Sequence, residues 1–555
     1  MGMLGLGNGL KMEFADKIRI PKLNGVTMRG PHISNTSTGT LVITGHHLIF
    51  SSRSEDVELW ILNRNIDIVE RKLNTITLKC KDFRIIVFDM PYIEQATSVA
   101  ASIESLIMTD ETDYLHHNMF SNKNNEYRSP FDVKSQCEQL VAGDSMWRIS
   151  QVNKSYRVCS TYPELTVVPS NVDDTMLIAS AKFRQNGRFP VLCYRHEKGS
   201  VLMRSSQPLV GSSSKRCKQD ERVINSVLGP GKRGYIIDTR SVANATNAKA
   251  RGGGFEMEAH YPQWRRVNSA LERHNVLLDS LSKIVEACND TTCTIERWLN
   301  KLNGSEWLSH VKDTLNAACL VAQCLNKERA SVLVHGSEST DATLVLISLT
   351  QLILNPECRT IVGFESLIER EWLQAGHPFE TRHKSGCYNA ARSKVSSSSS
   401  SKIFHHGSGA TFLLFLDCTW QIHNQFPCCF QFSTNFLSSL VDHSYCSDFS
   451  TFYGNCEADR KNNPCGKPNL WSHFDQKIDE IINPLYLHTN NVIWPSVAPF
   501  SIELWRDMYL RWSIDQTHQK KYKKSIDDLI KRNKELKILA TKLRNETQES
   551  GNKST

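Results

Sequence analysis

No run of about 18 apolar residues occurs in the 555-residue chain, so the sequence offers no helical membrane span. The opening residues Met1-Gly2-Met3-Leu4-Gly5-Leu6 lack the basic start, long apolar stretch and small-residue cleavage site of a signal peptide. Leu6 stands where N-myristoylation requires Ser or Thr. Charge of one sign is scarce too. A total of 66 Lys and Arg against 58 Asp and Glu leaves +8, too mild for a dedicated nucleic-acid binder, so no nucleic-acid partner is expected. The run Arg251-Gly252-Gly253-Gly254 is not followed by Gly-Lys-Ser/Thr, which excludes a Walker phosphate loop. Seventeen cysteines are present but not in tight pairs. Cys428, Cys429, Cys446, Cys456 and Cys465, with His443 nearby, do not form two Cys-x-x-Cys pairs, so no metal or cofactor is expected. The thiols read as reduced, which places the protein in the cytoplasm. What is there is ordinary globular usage, 40% hydrophobic and 22% charged, in a chain long enough for several domains.

The first hundred residues read as β-rich. Segments 40–51, 59–69 and 75–90 are dense in Val, Ile, Thr and Phe and partly alternate, and a helix is predicted over 93–107. Several strands closed by one helix suggest a small barrel or sandwich of the pleckstrin-homology type. Residues 110–126 are mostly polar and read as a linker. From about 138 to 499 helices and strands alternate without a repeat, the pattern of one large α/β domain. Six consecutive serines, Ser396 to Ser401, mark a flexible surface insertion over about 384–408, with a phosphorylated loop as the functional alternative.

The chemistry concentrates in Ser331 to Leu354, SVLVHGSESTDATLVLISLTQLIL. A β-branched run should form a buried parallel strand, and Ala342 to Leu354 a buried helix. The polar loop between them opens onto a helix N-terminus, whose free N–H groups and positive dipole end suit a phosphate. This strand, loop and helix is the frame in which cysteine phosphatases place Cys-x5-Arg.

The loop resembles that of the myotubularin phosphoinositide phosphatases, whose signature is His-Cys-Ser-Asp-Gly-Trp-Asp-Arg-Thr. His335, Ser337, Asp341 and Thr343 match it. Gly336 stands in place of the cysteine and Ala342 in place of the arginine, Glu338 replaces Asp, and Ser339 and Thr340 occupy the Gly-Trp positions. YPELTVVP (162–169), RFPVLCYRH (188–196), RSSQPLVG (204–211), IDTR (237–240), GGGFE (252–256), GFESLIEREWLQAGHPF (363–379) and FLDCTWQIHNQFP (415–427) extend the resemblance over nearly the whole length, beginning at Met12. It implies a β-rich PH-GRAM domain over 12–110, an α/β phosphatase-like domain over 138–512 and a C-terminal coiled coil over 515–548. It also implies that such inactive members pair with active myotubularins acting on phosphatidylinositol 3-phosphate and 3,5-bisphosphate, at the surface of endomembranes.

Residue chemistry points the same way. Glycine cannot supply the lowered-pKa thiolate that attacks phosphorus, and alanine cannot supply the fork that holds equatorial oxygens. Serine chemistry at Ser337, with His335, Glu338 or Asp341 as base, is the enzymatic alternative, poorly served without the arginine. Residual phosphate binding by the loop N–H groups and a purely structural loop both stay open. In the first domain Arg71, Lys72, Lys79, Lys81 and Arg84 could face a phosphoinositide headgroup, or simply water.

The tail changes period. Tyr522, Leu529, Leu536 and Leu543 recur every seven residues, with Ile526, Asn533 and Ala540 between them, the d and a positions of a coiled-coil seam. The rival is an amphipathic helix lying on its own domain with a broader apolar face. Lys523, Arg532, Lys537 and Arg544 flank the seam, and residues 515–548 hold ten basic against five acidic residues. Arg532 would face Lys537 in a parallel homodimer, which favours a partner helix with acidic flanks.

Overall fold

The computed structural model describes residues 14–30, 36–53, 57–108, 131–290, 292–388, 409–447, 449–464 and 467–512, with scattered helical positions from 526 to 542. Seven strands form the first domain: β1 (Lys22–Arg29), β2 (Ser37–Ile43), β3 (His47–Ser52), β4 (Val57–Leu62), β5 (Ile66–Lys72), β6 (Thr75–Cys80) and β7 (Ile85–Asp89). They are ordered β4-β3-β2-β1-β7-β6-β5, every pairing antiparallel. Each long run predicted from sequence therefore holds a turn. Asn63 shows why: its amide donates to the carbonyls of Thr44 (2.9 Å) and Gly45 (3.0 Å), tying the β2–β3 turn to the bend before β5. The helix Ile93–Ile107 presents Ala96, Val99, Ala100, Ile103 and Leu106 to the sheet, the i, i+3, i+4 stripe of a half-buried helix.

The larger domain is built on a five-stranded sheet of β10 (Val191–Arg195), β11 (Val201–Ser205), β14 (Val332–His335), β12 (Gly234–Asp238) and β13 (Trp264–Asn268), in that order. The short pair β8 (Trp147–Ser150) and β9 (Thr166–Pro169) stands apart. β14 lies parallel between β11 and β12, and only the edge pair β10–β11 is antiparallel. All four residues of β14 are buried, as expected of a strand covered on both faces. The helix Ala342–Leu354 is buried from Thr343 to Leu354 and packs beside helices Trp307–Asn326 and Ala410–Gln425. A helix with Leu, Ile and Val on every side, its polar residues Thr343, Ser348, Thr350 and Gln351 buried with the rest, can sit only inside a core. The domain starts earlier than residue 138, with the helix Val133–Val141.

The two domains touch, and this corrects part of the basic-face expectation. Lys79 reaches Glu286 (3.1 Å) and Glu70 (3.3 Å), and Arg84 pairs with Asp82 and stacks on the Trp512 ring. Those two cations are occupied at the domain contact; Arg71 and Lys72 remain exposed. At the β6–β7 turn Phe83 adopts φ +73° and carries its ring into the larger core, 6.1 Å from Tyr509 and nearly parallel to it. A second correction concerns the insertion. Residues 384–388 belong to the packed structure: Cys387 and Tyr388 are buried, and Asp67 accepts from the N–H groups of Gly386 (2.7 Å) and Tyr388 (3.2 Å). The serine run and the 110–126 linker lie outside the described residues.

One buried carboxyl makes the core sensitive to pH. Burial, followed by the charges of Asp475 and Glu369, pushes Glu365 up to about 8. A carboxyl raised on folding contributes stability that is complete below its unfolded pKa, near 4.5, and is lost as pH rises through about 8. Glu365→Gln should therefore raise the melting temperature at pH 8.5 by about 5 °C or more, with a much smaller gain at pH 5. Equal shifts at the two pH values in a thermal melt would contradict this.

Candidate functional site: a phosphate-type loop without a thiol

β14 ends at the carboxyl side of the parallel strands, where open α/β sheets place ligand sites, and residues 336–341 turn from it into the helix Ala342–Leu354. Three sets of contacts hold the loop. Ser339, at φ +64°, turns its hydroxyl back to accept the Gly336 N–H (2.9 Å). The Ser337 carbonyl accepts from Gln207 N–H (3.0 Å), and the Ser339 carbonyl from Arg188 Nη2 (3.0 Å). Asp341 accepts from Arg382 (2.9 Å), while His377 Nδ1 donates to the Thr340 carbonyl (2.7 Å) and stands 3.6 Å from Asp341. Among the described residues, the backbone N–H groups of 337–343 make no hydrogen bond, so the loop keeps a crown of free donors.

Electrostatics fix the charge states around it. Burial pushes His377 down to about 4, so its ring is neutral near pH 7. Burial alone would raise Asp341, but the Arg382 guanidinium and then His377 outweigh it and hold it below its ordinary value. Beneath the loop runs a buried ionic chain. His335 Nε2 stands 2.9 Å from Glu256 Oε2, Glu256 Oε1 accepts from Arg184 (2.6 Å), and Arg184 also grips Asp220 with Nε (2.9 Å) and Nη2 (2.7 Å). Glu256 is held far below the usual carboxylate range: burial works against ionisation, but His335 and Arg184 prevail.

The space beside Gly336 is crowded from the side. A Cβ added at Gly336 would lie 2.6 Å from Thr239 Oγ1 and 3.5 Å from Thr343 Oγ1. Ser337 is half-exposed and Glu338 exposed. No base reaches the Ser337 hydroxyl among the described residues, because His335 is engaged by Glu256 and the Gly336 carbonyl (3.2 Å) and Asp341 by Arg382. The structure thus brings His335, Ser339, Thr340, Asp341 and Thr343 together as loop scaffold and offers Ser337 no activating partner. Ala342 puts no charge beside the loop. Arg188 comes near but is committed to the Ser339 carbonyl and Thr161 (2.7 Å), with Tyr162 under its guanidinium (4.5 Å).

Sequence reasoning did not assign Glu256, Arg184, Arg188, Thr239, His377 or Arg382 to the site. Glu256 and Thr239 lay inside the quoted stretches GGGFE and IDTR, but nothing in their spacing said that they meet under the loop. Among the described residues no three His, Cys, Asp or Glu are grouped as a metal ion would require, and Cys465 lies outside those residues. Of the tail seam, Ile526, Leu529, Asn533 and Leu536 are helical and exposed, whereas Tyr522, Ala540 and Leu543 lie outside the described residues. Ile538 and Leu539 are exposed too, widening the apolar face beyond the heptad seam.

The family model for a myotubularin-like phosphatase domain matches residues 108–461, and that for the GRAM domain of MTMR6-9 matches residues 24–106. Myotubularin-related protein 9 of Mus musculus is 46% identical over 552 residues, covering 97% of this chain and 99% of that protein. Its namesake in Caenorhabditis elegans is 38% identical over 90% of this chain and 91% of its own. The Homo sapiens protein named phosphatidylinositol-3,5-bisphosphate 3-phosphatase MTMR6 is 31% identical over 94% of this chain and 84% of its own length. A GRAM-type sheet, an α/β domain and a strand-loop-helix phosphate frame, together with near full-length similarity to these proteins, establish that the chain belongs to the myotubularin-related family.

Proposed function

We propose that the chain is a catalytically inactive myotubularin that pairs, through its C-terminal helix, with an active family member and modulates that enzyme's action on 3-phosphorylated phosphoinositides. The observation that carries this reading is Gly336 at the nucleophile position with the Thr239 hydroxyl in the space a side chain would need. Without a thiolate there is no covalent intermediate, and without a cation at Ala342 the transition-state charge is left to backbone dipoles alone. Losing the nucleophile typically costs about 10⁴ to 10⁶ in rate and losing a charge-stabilising donor about 10² to 10³, so either change silences the loop.

Pairing is supported by the tail. Ile526, Leu529 and Leu536 are each more than half exposed, an unfavourable display for three large aliphatic side chains unless a second helix covers them. Membrane contact falls to the first domain, where the β5–β6 tip exposes Arg71, Lys72 and Leu73 beside exposed Tyr92. This gives the assembly a peripheral place on endomembranes. The seam is tested by Leu529→Lys/Leu536→Lys. Placing two charges at d positions should weaken co-purification with a purified active myotubularin by about 100-fold or more while the melting temperature of the body stays put. Undiminished co-purification would remove the coiled coil from the account.

A further inference from the structure

A cavity of about 280 Å³ opens beside Ala342, behind the phosphate-type loop. Its apolar wall is Leu271, Leu277, Val345 and Leu414, and its acidic side is Glu272, Glu306 and Asp313. Three carboxylates around one small cavity repel a phosphate and attract a cation. No Lys or Arg reaches Glu272 or Glu306 within ion-pair distance among the described residues; Asp313 meets Lys312 at 3.3 Å. Two buried polar atoms in the lining also await partners. Thr411 is 2% exposed, and among the described residues neither its hydroxyl nor His310 Nε2 has a hydrogen-bond partner. A hydroxyl left unpaired in a core is destabilising, so its presence at a cavity wall points to something that fills the space.

The ligand's shape follows from the lining. Among the described residues no three acids are grouped to hold one metal ion. The charge is spread instead over a cavity with an apolar wall, which suits a wide, weakly hydrated cation on an alkyl stem. The volume lies at the small end of ligand pockets, about 300 Å³, enough for one such group. Burial holds His310 below its usual pKa against the pull of Glu272, Glu306 and Asp313, so its ring is a neutral lining group and not itself the counter-ion.

We propose that this cavity binds an organic cation, an alkylguanidinium or alkylammonium group, with its head between Glu272, Glu306 and Asp313 and its stem on Leu271, Leu277 and Leu414. One N–H of the head donates to the Thr411 hydroxyl. The same chemistry can arrive as a free small amine or as an Arg or Lys side chain of a protein segment. The site is independent of the pairing proposed above, since it uses no residue of the tail.

The test is calorimetric titration of the full-length protein with butylguanidinium, with butylurea as the uncharged analogue of the same shape, and with a capped Gly-Arg-Gly peptide. Butylguanidinium should bind with a dissociation constant below about 1 mM, and butylurea at least about tenfold more weakly. Glu272→Gln/Glu306→Gln, at exposed side chains, should lower the affinity about tenfold with an unchanged melting temperature, and Thr411→Val should lower it severalfold. Peptide binding within about threefold of butylguanidinium assigns the cavity to a protein side chain; peptide binding weaker than that assigns it to a free amine. The proposal is overturned by equal binding of butylurea, by wild-type affinity in the double variant, or by no heat with butylguanidinium up to about 10 mM.

Discussion

Glu256→Ala is expected to lower the melting temperature of the protein by about 3–6 °C. Glu256 is buried, and its two oxygens face Arg184 at 2.6 Å and His335 at 2.9 Å. Taking it away leaves a fully buried guanidinium with Asp220 as its one remaining carboxylate, beside the Ser206 carbonyl (2.9 Å), and an imidazole at the foot of the loop that has lost Glu256. Removing one partner of a buried ion pair typically costs about 3–5 kcal/mol, because the other charge stays desolvated and unpaired. Glu256→Gln keeps the volume and one acceptor and should lose less. The distinction can be read in thermal melts of both variants at pH 7; a loss under about 1 kcal/mol for Glu256→Ala would show that Asp220 and the Ser206 carbonyl suffice for Arg184.

Restoring the thiol alone is expected to fail. In Gly336→Cys the new Cβ would meet Thr239 Oγ1 at 2.6 Å, closer than such contacts are found, so Thr239 or the loop must shift. Thr239 is buried and β-branched, which limits its rotamers. Overpacking of this kind costs about 1–3 kcal/mol. Thr239→Ala should recover most of that loss in the double variant, a coupling of about 1 kcal/mol or more between the two positions. For activity, Gly336→Cys should release no phosphate from phosphatidylinositol 3,5-bisphosphate, and adding Ala342→Arg should still fall at least about 10²-fold short of an active relative. Only with Thr239→Ala as well are nucleophile, cation and space all present. Phosphate release by Gly336→Cys alone would show that neither the missing arginine nor the crowded cradle matters.

Much of this was legible in the chain because the signals are local. The β-branched run of β14 and the Leu- and Ile-rich helix Ala342–Leu354 fit only a buried frame, so the loop between them was placed by its neighbours. The helix Ile93–Ile107 was visible in its spacing alone. Turns were harder. The bends that split the first-domain strands rest on Phe83 in a left-handed conformation, a residue with no turn signature, and on Asn63, a turn former set inside an otherwise strand-like run. Long-range chemistry was not legible at all. Glu256, Arg184 and His335 are far apart in sequence and adjacent only because the helix end at Arg184 and the segment holding Glu256 fold against the end of β14. Lys79 and Arg84 looked like a lipid-facing patch because nothing local shows that Glu286 and Trp512 cover them.

The most direct test of the account measures phosphate release from vesicles of phosphatidylinositol 3-phosphate and 3,5-bisphosphate, first with the purified chain alone and then with an equimolar active myotubularin. The account predicts no release above buffer from the chain alone, and a rate in the mixture that differs from that of the active enzyme by itself. That difference should vanish with Leu529→Lys/Leu536→Lys. Release by the chain alone, abolished by Ser337→Ala, would contradict it.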